Sequence, residues 1–251
     1  PPRLLRRQRQ MCIRDRYKSW FDTPFYHVLY KERDDKEAKA FMEKTTTYLN
    51  ISDNGKVLDL ACGKGRHSIH LNNLGYDVTG LDLSKQSITF AKQFENEHLH
   101  FDVHDMSKPY HKKFDIIFNL FTSFGYFENE EDNQNTINAI KENLKPDGIG
   151  VIDFLNADLV INHLVPDETK TVDNITFKLK RFVENGYIVK DISFDFEGNS
   201  YNFQERVKAF TLKDFKTMFA KANIHLLDIF GDYRLGKFNP KNSERLIMIF
   251  M

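Results

Sequence analysis

The sequence predicts an α/β fold in which helices cover both faces of a mostly parallel β-sheet. Between residues 34 and 156, short apolar runs alternate with longer segments whose apolar residues recur every three or four positions. The run 114–118 is apolar on both faces, which is typical of a parallel strand covered on both sides. A chain of 251 residues can bury one large core, so we expect one α/β domain that carries an insertion.

The order of elements follows from periodicity and from turn residues. The first helix is predicted over residues 34–50, where apolar and small residues from Ala38 to Leu49 recur at helical spacing. Gly75 has the position of a helix C-terminus, and Ser84 can cap the start of a helix. The elements that follow are strands 56–60, 77–81, 99–103, 114–121 and 149–155, helices 66–74, 84–95 and 130–144, and a Lys-Pro-Asp-Gly turn at 145–148.

The period changes after residue 156. Three segments alternate apolar and polar residues and are joined by turns at Gly186 and Gly198, which predicts a three-stranded antiparallel meander. We expect this meander to be an insertion of about residues 171–209 that covers the site. The segments in chain order are meander strands 174–183, 187–196 and 201–209, helix 212–222, and strands 224–230 and 245–250.

Charge is distributed unevenly along the chain. The chain has 36 basic and 36 acidic residues, but residues 1–16 contain six arginines and one acid, which leaves a net charge of −5 from Tyr17 onward. Residues 1–16 have no apolar segment and no helical period, so we expect a disordered or artefactual extension before a domain that spans 17–251. A basic arm for nucleic acid is the alternative. The acidic body lacks a basic stripe that could neutralise phosphates, which disfavours DNA or RNA as a partner.

Cysteine usage and hydropathy predict the cellular compartment of the protein. Cys12 and Cys62 have no Cys-x-x-Cys or histidine-rich companion, so we expect neither a disulfide framework nor a metal site. No apolar run reaches the roughly eighteen residues that cross a bilayer, so we expect no membrane segment. The predicted location is the reducing cytoplasm, and the predicted state is a monomer or homodimer.

The strongest functional signal is a glycine loop between a buried strand and a helix. Residues 57–66 read Val-Leu-Asp-Leu-Ala-Cys-Gly-Lys-Gly-Arg, in which Gly63 and Gly65 remove Cβ bulk and permit positive φ. The helix that follows presents unpaired N–H groups to a polar or anionic ligand. Nineteen residues beyond Gly63, Asp82 ends the second strand, where a carboxylate can accept hydrogen bonds from both hydroxyls of a ribose. Asp105 follows the third strand and can accept from an adenine amino group.

This pattern resembles the class I S-adenosylmethionine-dependent methyltransferases. Residues 65–78 are similar to small-molecule branches of that superfamily, including the tellurite-resistance methyltransferases. Residues 118–126 and 151–156 resemble the corresponding stretches of glycine N-methyltransferase-like enzymes, and the likeness covers about 55–156. It implies a Rossmann-like sheet of seven strands with the last strand antiparallel, S-adenosylmethionine as cofactor, and a small-molecule methyl acceptor. The sequence lacks the Asn/Asp-Pro-Pro-Tyr/Phe signature of enzymes that methylate amino groups of nucleic-acid bases. The positions that carry the resemblance are Asp59, Ala61, Gly63, Gly65, Asp82 and Asp105.

The expected site residues lie at the carboxyl ends of the strands, which is where α/β sheets bind ligands. For Asp59 and Asp105 a capping role is the alternative to a ligand contact. The predicted cofactor-binding residues are Asp59, Ala61, Cys62, Gly63, Gly65, Asp82, Leu83, Asp105, Met106, Asn119, Leu120, Trp20 and Tyr30. The sequence identifies no catalytic residue, and the acceptor-side candidates are Tyr126, Ser123, Tyr233 and Arg234.

Methyl transfer from a sulfonium needs little acid–base chemistry, because the leaving thioether is neutral. We therefore expect alignment of the reactants to supply most of the rate. One alternative is an NAD(P)-dependent oxidoreductase with the same glycine loop, which would require a catalytic Tyr/Lys pair. Another is a non-catalytic module that binds an adenosyl ligand. An aromatic lid is a further hypothesis, formed by Trp20, Phe25, Tyr26 and Tyr30 alongside Phe121, Phe124 and Tyr126.

Overall fold

A computed structural model describes residues 20–31, 35–127 and 129–251 of the chain, so the predicted extension over 1–16 lies outside the described residues. The strands in chain order are β1 (Lys56–Leu60), β2 (Asp77–Asp82), β3 (Leu99–Val103), β4 (Phe114–Asn119), β5 (Leu144–Leu155), β6 (Asp167–Val172), β7 (Ile175–Glu184), β8 (Tyr187–Phe196), β9 (Asn199–Lys208), β10 (Leu226–Phe230) and β11 (Arg245–Phe250). The helices are α1 (Pro24–Leu29), α2 (Asp35–Tyr48), α3 (Arg66–Asn73), α4 (Lys85–Ala91), α5 (Glu130–Asn143), α6 (Ala157–Asn162) and α7 (Leu212–Lys221).

Seven strands form the main sheet in the order β10-β11-β5-β4-β1-β2-β3. Strands β1 to β5 pair in parallel, whereas β11 is antiparallel to both β5 and β10. The chain runs outward from β1 to β3 and returns beside β1 as β4, so the strand order reverses between β1 and β4. Ligands bind at such a switch point. The predicted Rossmann-like α/β class, with seven strands and the last one antiparallel, is confirmed.

Strands β6 to β9 form a separate antiparallel sheet in sequential order. This sheet has four strands, one more than the predicted meander. The additional strand, β6, reads Asp-Glu-Thr-Lys-Thr-Val, and only its last residue, Val172, is buried. Because an edge strand has one neighbour and its side chains face solvent, β6 has no apolar alternation that sequence reading could detect.

Strand β5 begins earlier than expected. Its register with β4 moves from Phe114 opposite Leu144 to Ile116 opposite Ile149, so the predicted turn at 145–148 is a bulge within the strand. Strand β4 also ends at Asn119, two residues before its predicted end. The residues that follow therefore belong to a loop above the switch point.

Helix α6, which follows β5, was not predicted.

Local sequence explains where several helices begin. The Ser84 hydroxyl caps α4 as predicted, because its oxygen accepts the Ser87 N–H at 3.0 Å. Helix α7 starts with a capping box, in which Thr211 and Asp214 exchange side-chain and backbone hydrogen bonds. Among the described residues, the helices are too short or too polar to span a bilayer.

Three apolar clusters hold the layers together. One joins α5 and α7 to one face of the main sheet, and a second joins α2, α3 and α4 to the other face. The third joins Trp20 and Leu29 to buried residues of the meander, including Phe177 and Phe194. Residues 20–31 are therefore packed on the meander, and together they form one wall over the carboxyl ends of the strands.

Candidate active site

The glycine loop after β1 exposes bare backbone to a cavity. Ala61, Gly63 and Gly65 all have positive φ, at 67°, 56° and 80°. The Ala61 and Cys62 N–H groups donate to the Leu81 carbonyl at 2.8 and 3.0 Å, which ties the loop to β2. Gly65 occupies the N-cap position of α3, where no side-chain cap is present. The loop thus brings backbone without a side chain, at Gly63, to the cavity near the switch point.

Asp82, at the end of β2, links the glycine loop to the start of α4. Its Oδ2 accepts the Gly63 N–H at 2.8 Å, and its Oδ1 accepts the Ser84 N–H at 2.7 Å. Burial raises the pKa of Asp82, and these two N–H donors oppose that rise. Each carboxylate oxygen can accept more than one hydrogen bond, so this arrangement leaves acceptor capacity toward the cavity.

Asp59 borders the cavity from beneath the loop. It is 2 % exposed, and its Oδ2 accepts the Ser68 hydroxyl at 2.6 Å. Burial raises the pKa of Asp59 to about 6, although the hydrogen bonds from Ser68 lower it. The carboxyl group therefore connects β1 to α3, as in the capping alternative.

The free energy of unfolding is expected to fall between about pH 4 and pH 6 because of Asp59. The folded state binds this proton with a pKa of about 6, against 3.8 for an ordinary Asp, so the proton stabilises the fold fully below about pH 4. That stabilisation, about 3 kcal/mol, is lost as pH rises through 6. Urea unfolding of the wild type and Asp59→Asn at pH 4 to 7 measures it. The variant should gain stability relative to the wild type as pH rises, and parallel profiles would contradict the assignment.

Asp105 follows β3 and holds the turn after it. Its Oδ1 accepts the Ser107 hydroxyl at 2.8 Å and the Ser107 N–H at 3.0 Å. Asp105 and Met106 nevertheless border the same cavity as Asp82. The capping and ligand-binding alternatives for Asp105 are thus compatible in this geometry.

The loop after β4 forms the floor of the cavity. Phe121 stacks on His67 with ring centroids 4.5 Å apart, and Thr122 and Ser123 follow it along the cavity. The Ser123 hydroxyl donates to the Leu120 carbonyl at 2.8 Å. Asn119 is fully buried and donates to the Leu60 carbonyl, so it joins β4 to β1 beneath the loop.

Residues 20–31 and the meander meet at Glu205. The Trp20 indole and the Tyr30 hydroxyl donate to Glu205 Oε1 at 2.7 and 2.6 Å, and Lys190 donates to Oε2 at 2.8 Å. Burial raises the pKa of Glu205, but the Lys190 charge and these donors outweigh burial and hold the pKa below its usual value. Glu205 is therefore an ionised carboxylate beside the cavity.

One cavity of about 780 Å³ collects most of the predicted site, a volume typical of small-molecule sites. The predicted residues that border it are Asp59, Ala61, Cys62, Gly63, Asp82, Leu83, Asp105, Met106, Leu120, Tyr30, Ser123 and Tyr126. Those outside its lining are Gly65, Asn119, Trp20, Tyr233 and Arg234.

The residues outside the lining have other contacts. Trp20 is fully buried against the meander, and the Arg234 N–H donates to Asp232. Tyr233 lies behind the β4 loop, where its hydroxyl donates to Asp153 at 3.1 Å. Tyr233 and Lys237 have the Tyr-x-x-x-Lys spacing of an oxidoreductase pair, but Tyr233 does not border the cavity. The geometry gives no support to the oxidoreductase alternative.

Only some residues of the predicted aromatic lid border the cavity in the structure. Tyr26, Tyr30, Phe121 and Tyr126 border the cavity, whereas Phe124 is buried in the core. Phe25 packs on the meander, with ring contacts to Phe194, Phe196 and Tyr201.

Several cavity residues were missed by sequence reasoning. Asp22 accepts the Ser84 hydroxyl beside Asp82, and no local pattern marks it. Glu205 had a detectable signal, because it interrupts the apolar alternation between Phe203 and Val207 on β9. A charged residue at an inward position of a strand indicates a partner or a function.

The fold and the cavity define a class: an α/β protein in which a glycine loop and acids at the ends of parallel strands border one cavity. A family model described as a methyltransferase domain matches residues 51–223. The chain therefore belongs to the methyltransferase domain family. This confirms the class predicted from the sequence, an S-adenosylmethionine-dependent methyltransferase of class I.

Similar proteins agree with this assignment. The chain is 27% identical to "Putative methyltransferase YqeM" of Bacillus subtilis (strain 168), over 73% of this chain and 79% of that protein. It is 34% identical to the glycine/sarcosine N-methyltransferase of Aphanothece halophytica, over 43% of each chain, so it spans less than half of that relative. A solved S-adenosylmethionine-dependent methyltransferase of Clostridium acetobutylicum ATCC 824 has the same fold, with a TM-score of 0.76, 21% identity, and coverage of 90% of this chain and 95% of that one.

Proposed function

We propose that this methyltransferase transfers the methyl group of S-adenosylmethionine to an amine nitrogen of a small molecule. The observation that carries the proposal is the lining of the cavity, which combines two groups of residues. The glycine loop and Asp82 are assigned to the donor and named the donor end, and the aromatic rings and Glu205 are assigned to the acceptor and named the acceptor end. The name of the Aphanothece halophytica relative, a glycine/sarcosine N-methyltransferase, supports nitrogen as the accepting atom.

The donor end fits the cofactor. A Cβ placed on Gly63 would meet no described atom within 4 Å, and Gly63 borders the cavity, so the missing side chain leaves room for a ligand. Asp82 would accept from the ribose hydroxyls, and Asp105 from the adenine amino group, while its Oδ1 still holds Ser107. When bound, S-adenosylmethionine supplies a methyl group on a sulfonium, and a neutral thioether leaves.

The other predicted cofactor residues divide by position. Most of those that border the cavity are proposed to touch the cofactor. Asp59, whose carboxyl group is held by Ser68, and the residues outside the lining are proposed to hold the loop. The first set is Ala61, Cys62, Gly63, Asp82, Leu83, Asp105, Met106, Leu120 and Tyr30. The second set is Asp59, Gly65, Asn119 and Trp20.

The acceptor end suits a neutral amine that becomes cationic during transfer. Attack requires a lone pair on nitrogen, so the amine must bind without its extra proton. Lys190 offsets the charge of Glu205 at 2.8 Å, so the wall does not stabilise the protonated form strongly. During transfer the positive charge moves from sulfur to nitrogen, and the faces of Phe21, Tyr26 and Tyr126 can stabilise it along the way.

Among the acceptor-side candidates, Tyr126 is the one that we propose contacts the amine. Its ring meets Phe21 edge to face at 5.4 Å, and both rings border the cavity. Ser123 already donates to the Leu120 carbonyl, and Tyr233 and Arg234 lie outside the lining. A catalytic base is not required by this scheme.

Tyr126→Leu is expected to lower kcat by about tenfold, because a cation–π contact contributes roughly 0.5 to 2 kcal/mol. The matched variant Tyr126→Phe keeps the aromatic face and should retain at least three times the kcat of the leucine variant. Steady-state rates with the best amine substrate measure both. Equal kcat values for leucine and phenylalanine would contradict a role for the ring face.

The proposed function is tested by turnover. Purified protein is incubated with methyl-labelled S-adenosylmethionine and separate pools of primary and secondary amines, phenols, thiols and carboxylic acids. Label is expected in the amine pool, with S-adenosylhomocysteine formed in equal amount. The control is Gly63→Ala, whose methyl group would enter the donor end. Label confined to a pool other than the amines would overturn the choice of nitrogen.

The remaining expectations about partners stay predictions. An acceptor that is not a nucleic acid is supported by the net charge of −5 from Tyr17 onward. A monomer or homodimer and a cytoplasmic location were also predicted. Size-exclusion chromatography with light scattering tests the oligomeric state.

A further inference from the structure

The loop after β4 holds two consecutive residues in a conformation that their side chains disfavour. Phe121 and Thr122 have φ values of 57° and 60°, in the left-handed region. A β-branched residue such as Thr rarely adopts it, because its Cβ substituents crowd the backbone. Both residues border the cavity. Something in the surrounding structure must therefore hold this turn.

Two backbone N–H groups of the turn are held by one residue of β5. Asp153 Oδ2 accepts the Phe121 N–H at 2.8 Å, and the Asp153 carbonyl accepts the Thr122 N–H at 3.0 Å. Arg245, the first residue of β11, donates from Nη2 to the Thr122 hydroxyl at 2.9 Å. The turn is thus bound through two N–H groups and one hydroxyl.

Asp153 and Arg245 form an ion pair behind the cavity. Arg245 Nε donates to Asp153 Oδ1 at 2.8 Å, its Nη2 lies 2.7 Å from the same oxygen, and Asp153 is fully buried. Tyr233 donates to Asp153 Oδ2 and packs on Phe121 with ring centroids 5.6 Å apart. Neither Asp153 nor Arg245 borders the cavity, so both act on it through the turn.

We propose that Asp153 and Arg245 are positioning residues for methyl transfer, which hold Phe121 and Thr122 in the left-handed turn that shapes the cavity floor. Because Asp153 accepts from both N–H groups, relaxation of the turn to an ordinary φ would break these hydrogen bonds and move the Phe121 ring away from His67. The expected effect of these residues on kcat rests on the proposed function, because kcat is measured with an amine acceptor. Their expected effect on the backbone conformation of the turn does not depend on the acceptor.

The test uses variants that perturb the pair by different amounts. Arg245→Lys keeps the buried charge but loses the fork that reaches Thr122. Thr122→Val keeps the β-branched shape and removes only the hydroxyl, so it leaves the ion pair intact and should fold even if Arg245→Lys does not. Thr122→Ser keeps the hydroxyl. The control is Asp115→Asn, at the opposite end of β4, where Asp115 pairs with Lys145 at 2.7 Å.

Two readouts separate positioning from a general loss of structure. The ¹³C chemical shifts of residue 122, compared with reference values for its residue type, report its backbone conformation, and kcat is compared with the Kd for S-adenosylhomocysteine measured by calorimetry. In Arg245→Lys and Thr122→Val the shifts of residue 122 should leave left-handed values and kcat should fall at least tenfold, while Kd stays within threefold. Thr122→Ser should keep at least three times the kcat of Thr122→Val, and Asp115→Asn should keep wild-type values.

The proposal is overturned if, in both variants, either the backbone conformation reported by the shifts of residue 122 or kcat stays as in the wild type. If Arg245→Lys fails to fold, Thr122→Val decides alone by the same two readouts. Should the wild type methylate no amine, the proposed acceptor fails, and the shifts of residue 122 still decide whether Arg245 holds the turn through the Thr122 hydroxyl.

Discussion

Asp82→Ala is expected to lower the affinity for S-adenosylmethionine at least a hundredfold. The carboxylate is proposed to accept from two ribose hydroxyls, and hydrogen bonds to a charged group contribute roughly 1.5 to 3 kcal/mol each. The same substitution removes the acceptor for the Gly63 and Ser84 N–H groups, so the glycine loop loses its link to α4. Isothermal titration calorimetry with the donor and with S-adenosylhomocysteine measures the change.

Two further variants test whether the loss of affinity in Asp82→Ala comes from the loss of the carboxylate. Asp82→Asn keeps the shape but turns an amide NH₂ group toward one of the two N–H donors, so affinity should still fall at least tenfold. Asp77→Ala changes the first residue of the same strand, at its amino end and away from the cavity. This variant should bind S-adenosylmethionine like the wild type. Affinity of Asp82→Ala within threefold of the wild type would remove the carboxylate from the donor site.

Asp82 could be predicted from sequence because its role depends on local chain geometry. A strand, a glycine loop and a second strand lie within about thirty residues, and parallel pairing of β1 with β2 brings their ends together. Pairing places Asp59 opposite Gly80, two residues before Asp82, so the pairing of these strands predicts that both acids lie near the same strand ends. Spacing could not show how the two acids differ: the Asp59 carboxyl group accepts from the Ser68 hydroxyl, whereas Asp82 accepts from the Gly63 and Ser84 N–H groups.

The acceptor end could be predicted only in part, because the contacts that build it join residues distant in sequence. Trp20 and Glu205 are 185 positions apart, yet the indole donates to the carboxylate at 2.7 Å. Tyr233 was predicted to face the acceptor, but it packs between Phe41 and Phe121 behind the loop, with centroid distances of 4.8 and 5.6 Å. Such placements depend on how layers pack, and periodicity gives no information about that.

The sequence does not distinguish Gly63 from Gly65, but alanine is expected to have a different effect at each position. Gly65→Ala should lower the free energy of unfolding by about 2 to 5 kcal/mol. Its φ of 80° costs alanine about 1 to 2 kcal/mol, and its Cβ would lie 2.6 Å from the buried Phe101 ring, where overpacking costs about 1 to 3 kcal/mol. Urea unfolding measures this loss.

Gly63→Ala should instead mainly lower ligand affinity. Its φ of 56° brings the same left-handed cost, but its Cβ meets no described atom within 4 Å. The methyl group would stand in the cavity where the donor is proposed to bind, so affinity for S-adenosylhomocysteine should fall at least tenfold with a stability loss of about 1 to 2 kcal/mol. Calorimetry and urea unfolding on the same preparation separate the two effects.

The matched control for Gly63 is Gly198, in the hairpin turn between β8 and β9. Gly198 has a φ of 75°, and a Cβ there also meets no described atom within 4 Å, but it does not border the cavity. Gly198→Ala should therefore show the stability cost of Gly63→Ala without its effect on binding. If both alanine variants bind S-adenosylhomocysteine equally well, the space in front of Gly63 is not the donor site. If Gly65→Ala is as stable as Gly198→Ala, the Phe101 contact does not explain why glycine is needed there.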